Sequence, residues 1–318
     1  MTDWYSIAGG LVLLTIGAEV LIRGSTALAR QFGVSELLIG LTLVGFGTST
    51  PELVSSVQAA LVGSPGVAVG NVVGSNIANI LLILGLSAAI APFIVDQKAF
   101  RRDGFVCLAA TLAAIAVSLT GEFSRLAGVA FLAAIISYIV FAFISERRHP
   151  DSALAEQHVA DAAKVQGPQA IWLDIVMAIG GLALLVFGAK FLVTGSINIA
   201  ADLGISETII GLTVVAIGTS LPELVTSIMA AVRGKSALAL GNVVGSNIYN
   251  LFGILGTTAA IKPVAAPAEI VAFDNWVMLG ATLLMIFFAM TGKRLSRAEG
   301  VLLAVCYVAY VGWLVAKS

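Results

Sequence analysis

The chain has 318 residues, 59% hydrophobic and only 11% charged, with a mean hydropathy of +1.02, whereas soluble domains carry about 25% charged and 45–50% apolar residues. Its 17 basic and 18 acidic residues nearly cancel and leave no electrostatic footprint for nucleic acid, and having only Cys107 and Cys306 excludes a disulfide scaffold. The composition predicts an all-α polytopic membrane protein, and 33 glycines suit helices whose backbones approach closely.

A spanning helix needs about 20 mostly apolar residues. Such runs are predicted at 5–29, 36–62, 67–90, 104–121, 124–145, 170–200, 207–232, 237–260, 272–291 and 296–316, which makes ten transmembrane helices. The first run has no basic segment before it and reads as an uncleaved span. Only the stretch 146–169, with both histidines and Lys164, is long and polar, and it reads as a solvent-exposed linker. With both termini outside, 12 Lys and Arg fall in cytoplasmic connections and 3 on the outer side; Arg23 and Lys190 lie within spans. That bias sets the orientation and puts the linker in the cytoplasm.

Residues 35–90 and 206–261 align without a gap at an offset of 171, with about 34 of 56 positions identical. The same offset matches Gly17 to Gly188, Gly24 to Gly195 and Asp103 to Asp274, so 1–145 and 170–318 are two five-span units. An odd number of spans per unit inserts the second copy from the opposite face. Inverted repeats of this kind mark secondary transporters, whose sites lie near the midplane where discontinuous helices meet. A channel would favour repeats in parallel orientation.

Each copy carries G-T-S-x-P-E inside an apolar span, at Gly47–Glu52 and Gly218–Glu223. Proline lacks the helical donor, which frees carbonyls near Gly47 and Gly218, and glycine permits local unwinding there. Glu52 shares a helical face with Ser49 and Thr48, so one turn offers a carboxylate, hydroxyls and carbonyls together. The following span carries G-N-V-V-G-S-N-x-x-N, at Gly70–Asn79 and Gly241–Asn250. Ser75 with Asn79, and Ser246 with Asn250, are four apart and able to face the carboxylates; Gly74 and Gly245 allow close approach or unwinding. Asn76 and Asn247 point away from those serines and are expected to hold the broken backbone rather than to ligate. This all-oxygen inventory, without Cys, His, Lys or Arg, suits hard cations such as calcium and not soft metals or anions. Two carboxylates can be neutralised by one divalent ion, several monovalent ions or protons.

At these motifs the chain resembles the sodium/calcium exchanger family of the cation/calcium antiporter superfamily, in its compact prokaryotic form. The resemblance implies a secondary antiporter, not an enzyme, exchanging Ca2+ for Na+ by alternating access without a cofactor, in the cell membrane of a bacterium or archaeon. Glu52 and Glu223 would be the central calcium ligands, joined by the main-chain carbonyls of Thr48 and Thr219. Ser49, Ser75, Ser220 and Ser246, with the carbonyls of Gly45 and Ala216, would complete flanking sodium sites, and Asn79 and Asn250 would line the middle of the cavity. Its partners would be the two ions and the lipid bilayer, and the monomer would function alone. Asn250, where potassium-dependent relatives have Asp, argues against potassium co-transport, and the short linker leaves no room for calcium-sensing domains. Protons remain the alternative counter-ion. The first span of each half would slide against the other eight, with Glu19, Arg23 and Lys190 as gate-lining or snorkelling charges.

Overall fold

A computed structural model describes residues 2–148, 171–202, 216–291 and 294–317. The predicted linker from residue 149 on, the start of the second motif copy (206–215) and Lys293 lie outside the described residues. In chain order the helices are α1 (Thr2–Phe32), α2 (Glu36–Thr48), α3 (Thr50–Leu61), α4 (Pro65–Ile90), α5 (Gln97–Ser118), α6 (Arg125–Arg148), α7 (Ile171–Asp202), α8 (Ala216–Thr219), α9 (Leu221–Val232), α10 (Ser236–Ile261), α11 (Ile270–Thr291) and α12 (Arg297–Lys317).

Local chemistry sets the ends. α1 stops before Gly33, whose φ of +64° only glycine adopts freely, and Ser35 then caps α2 by accepting the Leu38 N–H at 3.0 Å. Among the described residues, seven helices are long and apolar enough to cross a bilayer, and the bent pair α2–α3, angled at 46°, makes an eighth. α5 is helical where a span is predicted, but it opens on Lys98, Arg101, Arg102 and Asp103. α8 and α9 make up the described part of the predicted span 207–232.

α4 and α10 form the centre. The apolar window of α10 is 94% buried and that of α4 67%, against 11% for the peripheral α12. Both central helices widen into a π-helical turn, over Asn79–Leu84 and Tyr249–Ile254, a distortion often found at functional sites. α1 and α7 cross closely: a Cβ on Gly17 would lie 2.8 Å from the Leu185 nitrogen, and one on Gly10 2.7 Å from the Gly188 oxygen.

The all-α expectation needs a small correction. Two antiparallel ladders tie the connections together, β1 (Phe93–Ile94) with β4 (Arg294–Leu295) and β2 (Glu122–Phe123) with β3 (Val264–Ala265). Two-residue strands leave no periodicity to read, and their pairing is long-range. Each ladder joins one half to the other, and one ladder corresponds to the other under the repeat.

Candidate cation site

The bend in each motif falls on serine, not on glycine. Gly47 and Gly218 stay within α2 and α8, and the break comes at Ser49 (φ −83°, ψ 10°) and Ser220 (φ −92°, ψ 9°). Pro51 and Pro222 sit in the first turn of α3 and α9, where a missing N–H leaves no bond unmade. The glycines serve packing instead: a Cβ on Gly47 would lie 2.8 Å from Leu182 Cδ2, and one on Gly218 would collide with Val193. Glu52 and Glu223 follow in the same first turns, at the positive end of the helix dipole.

The two acidic turns meet across the halves. Ser49 Oγ donates to Glu223 Oε1 at 2.7 Å, and Ser220 Oγ donates to Glu52 Oε1 at 3.1 Å. The same-face expectation grouped Ser49 with its own Glu52; the bend at Ser49 instead turns its hydroxyl toward the opposite carboxylate. Glu52 and Glu223 are each 1% exposed, and their Oε2 atoms have no donor among the described residues.

Asn79 and Asn250 open the two π-helical turns and are also 1% exposed. Asn79 Nδ2 donates to Asn247 Oδ1 and Asn250 Nδ2 to Asn76 Oδ1, both at 3.4 Å, while the Oδ1 atoms of Asn79 and Asn250 have no donor among the described residues. The expected backbone role of Asn76 and Asn247 is therefore corrected. α4 and α10 stay helical at these residues, so there is no broken backbone to hold, and the amides bond to amides of the other half.

Ser246 Oγ donates to the Gly45 carbonyl at 3.1 Å, and Ser75 is buried at the equivalent position. Thr48 is buried, its hydroxyl 3.3 Å from the Gly45 carbonyl; Thr219 is half-buried. Ala216 begins α8. Gly245 packs directly on the Leu41 backbone, whereas Gly74 has open space around it.

The sequence reading gave no role to Asn71, Asn242, Ser56 or Ser227. Asn71 Nδ2 donates to the Glu52 carbonyl (3.1 Å) and to Ser56 Oγ (2.9 Å); Asn242 Nδ2 does the same for Glu223 (3.3 Å) and Ser227 (2.8 Å). Asn242 Oδ1 also accepts from Thr48 Oγ1 at 3.2 Å, which ties one acidic turn to the other half. The available signal was the first asparagine of G-N-V-V-G-S-N, doubled like the rest. Asn242→Ala leaves three buried polar groups short of a partner. It is expected to destabilise the fold by about 2–4 kcal/mol, seen as a lower melting temperature in detergent; an unchanged transition would mean these bonds contribute nothing.

Among the described residues, four buried oxygens of these motifs have no donor: Oε2 of Glu52 and Glu223, and Oδ1 of Asn79 and Asn250. Buried acceptors left without a donor are costly, and a hard cation is a kind of partner that suits such oxygens. Among the described residues, no three His, Cys, Asp or Glu side chains gather to hold a metal.

Residues 2–144 and 173–316 match the family model for sodium/calcium exchanger proteins. The chain is 36% identical to the putative antiporter CaxA of Alkalimonas amylolytica over 305 residues, 95% of each chain. It is also 36% identical to the sodium/calcium exchanger MaX1 of Methanosarcina acetivorans over 333 residues, again 95% of each. The solved structure of the sodium-calcium exchanger NCX_Mj soaked with zero Na+ and Ca2+ matches with a TM-score of 0.85 and 33% identity, covering 98% of both chains. Apolar helices in such number and transporter relatives of the same length make this an integral membrane transporter and not an enzyme. The chain belongs to the sodium/calcium exchanger family.

Proposed function

We propose that the chain exchanges Ca2+ for Na+ by alternating access, with Glu52 and Glu223 binding the two ions in turn. The observation that carries this reading is the pair of buried carboxylates, each bonded by the other motif's serine and each keeping one oxygen without a donor. Thr48, Thr219, Gly45 and Ala216 supply main-chain carbonyls, Ser49, Ser75, Ser220 and Ser246 complete the sodium sites, and Asn79 and Asn250 line the middle. Left empty and charged, the two carboxylates would repel one another in a poorly hydrated pocket. Switching between faces is therefore easiest with the site filled, which makes exchange obligatory.

The chain crosses the membrane ten times as two inverted units, 1–145 and 170–318, joined by the cytoplasmic linker 146–169, with both termini outside. It works as a monomer in a bacterial or archaeal cell membrane. Support comes from contacts that recur at the repeat offset, Asn71 on Glu52 and Asn242 on Glu223, and Thr111 facing Thr282 at 3.4 Å, and from Gly85 against Gly300 and Gly128 against Gly256, which recur to within one residue of it. Access is unequal between the halves. Thr226, one turn beyond Glu223, is fully buried, whereas Ser55, one turn beyond Glu52, is half-buried. On the closed side α1 packs along α9, and Glu19 pairs with both Arg23 and Arg233 at 2.8 Å. Lys190, its counterpart, is exposed. That asymmetry suits a carrier open to the outer face.

The test is radioactive calcium uptake into proteoliposomes with an imposed sodium gradient, proton gradient, or neither. Uptake is expected with sodium alone. Uptake driven only by protons would replace the counter-ion, and flux with no exchangeable ion on the far side would mean a channel.

A further inference from the structure

We propose that Met278 and Asn76 fix the Asn250 amide so that it presents its oxygen, not its N–H, to the cation; this rests on the cation site proposed above. The two ends of an amide differ in what they can partner, since Oδ1 accepts and Nδ2 donates. Met278 is fully buried, and its thioether sulfur can only accept. That sulfur lies 3.8 Å from Asn76 Nδ2. Asn76 is thereby held with Oδ1 turned the other way, where it accepts Asn250 Nδ2 at 3.4 Å. The end of Asn250 left over is its Oδ1, buried and without a donor.

The other half repeats only part of this relay. Asn79 Nδ2 donates to Asn247 Oδ1 at 3.4 Å, but Cys107 stands at the position equivalent to Met278, and Asn247 Nδ2 has no acceptor among the described residues. The orientation of Asn247 is not fixed from behind, so Asn79 can turn by letting Asn247 turn with it. Asn250 cannot. A turned amide would point an N–H at the ion, removing one ligand and adding a repulsive dipole. Asn76 and Met278 are thus positioning residues that act through Asn250 on cation affinity.

The relay makes an unusual demand on a double-mutant cycle. Asn76→Leu removes the acceptor at similar volume and is expected to raise the KM for calcium uptake about tenfold, with a smaller change in maximal rate. Met278→Leu, also close in volume, should raise it about two- to threefold. In an Asn250→Asp background both ends of residue 250 are oxygens and orientation no longer matters. There Asn76→Leu is expected to change KM by less than about twofold. Equal losses in both backgrounds would reduce Asn76 to packing and overturn the proposal, as would an unchanged KM in the otherwise native protein. Should Asn76→Leu fail to fold, Met278→Leu carries the same cycle. Failure of the underlying site looks different: the native protein itself would show no saturable calcium uptake.

Discussion

Glu52→Gln and Glu223→Gln are each expected to lower calcium flux at least about a hundredfold without impairing folding. At a calcium–oxygen distance near 2.4 Å and an effective dielectric of about 20, one carboxylate attracts a divalent ion by roughly 14 kcal/mol before desolvation is subtracted. If only a fifth of that survives as net binding, its loss already accounts for the hundredfold. The amide also puts N–H donors where the carboxylate offered only acceptors. Folding should not suffer, because Gln keeps an oxygen for Ser220 or Ser49 and removes one of two charges that are each 1% exposed. The melting temperature in detergent without calcium should hold or rise. The native protein should gain stability as calcium is added and the variants should not, since a ligand stabilises only the state that binds it. Native flux from either variant would remove these glutamates from the site.

What could be read in the sequence and what could not divides along a physical line. Glu52 and Glu223 stand out in one dimension because a charged residue in an apolar span is expensive and each lies in a doubled motif with proline. Apolar runs marked eight spans that are helices long and apolar enough to cross a bilayer among the described residues, counting the bent pair as one, and helical spacing places residues within one element. It gives nothing on contacts between elements. Ser49 therefore seemed to serve Glu52, three residues on, when the bend at Ser49 sends its hydroxyl to Glu223. Asn76 and Asn247 seemed to hold backbone, when they meet asparagines 168–174 positions away. Asn242 passed unremarked because its partners Thr48 and Ser227 belong to other helices. The glycines of the G-T-S-x-P-E motifs invited a conformational reading, and only Leu182 and Val193 on α7 reveal the steric one.

Glycine packing also yields the second large effect, because α1 and α7 carry neighbouring glycines with opposite fates. A Cβ on Gly181 would run into the Leu21 nitrogen and lie 2.8 Å from the Gly17 oxygen, while one on Gly180 would meet nothing within 4 Å. Likewise a Cβ on Gly10 would lie 2.7 Å from the Gly188 oxygen, and one on Gly9 would stand clear. Gly10, Gly17 and Gly24 recur every seven residues, as do Gly181, Gly188 and Gly195, so each helix presents a smooth stripe to the other. Backbones that touch in this way hold α1 and α7 together as one unit, which the proposed exchange moves against the other eight spans. Gly181→Ala and Gly10→Ala are expected to slow calcium exchange about tenfold or more, at a stability cost of about 1–3 kcal/mol from overpacking. Gly180→Ala and Gly9→Ala should leave both unchanged or slightly improved, because alanine is the better helix former. Calcium-dependent stabilisation should persist in all four, since Glu52 and Glu223 lie on other helices. Equal effects from Gly180→Ala and Gly181→Ala would show that the helices need glycine for flexibility rather than for the closeness of their backbones, and the closely packed α1–α7 unit would have to be abandoned.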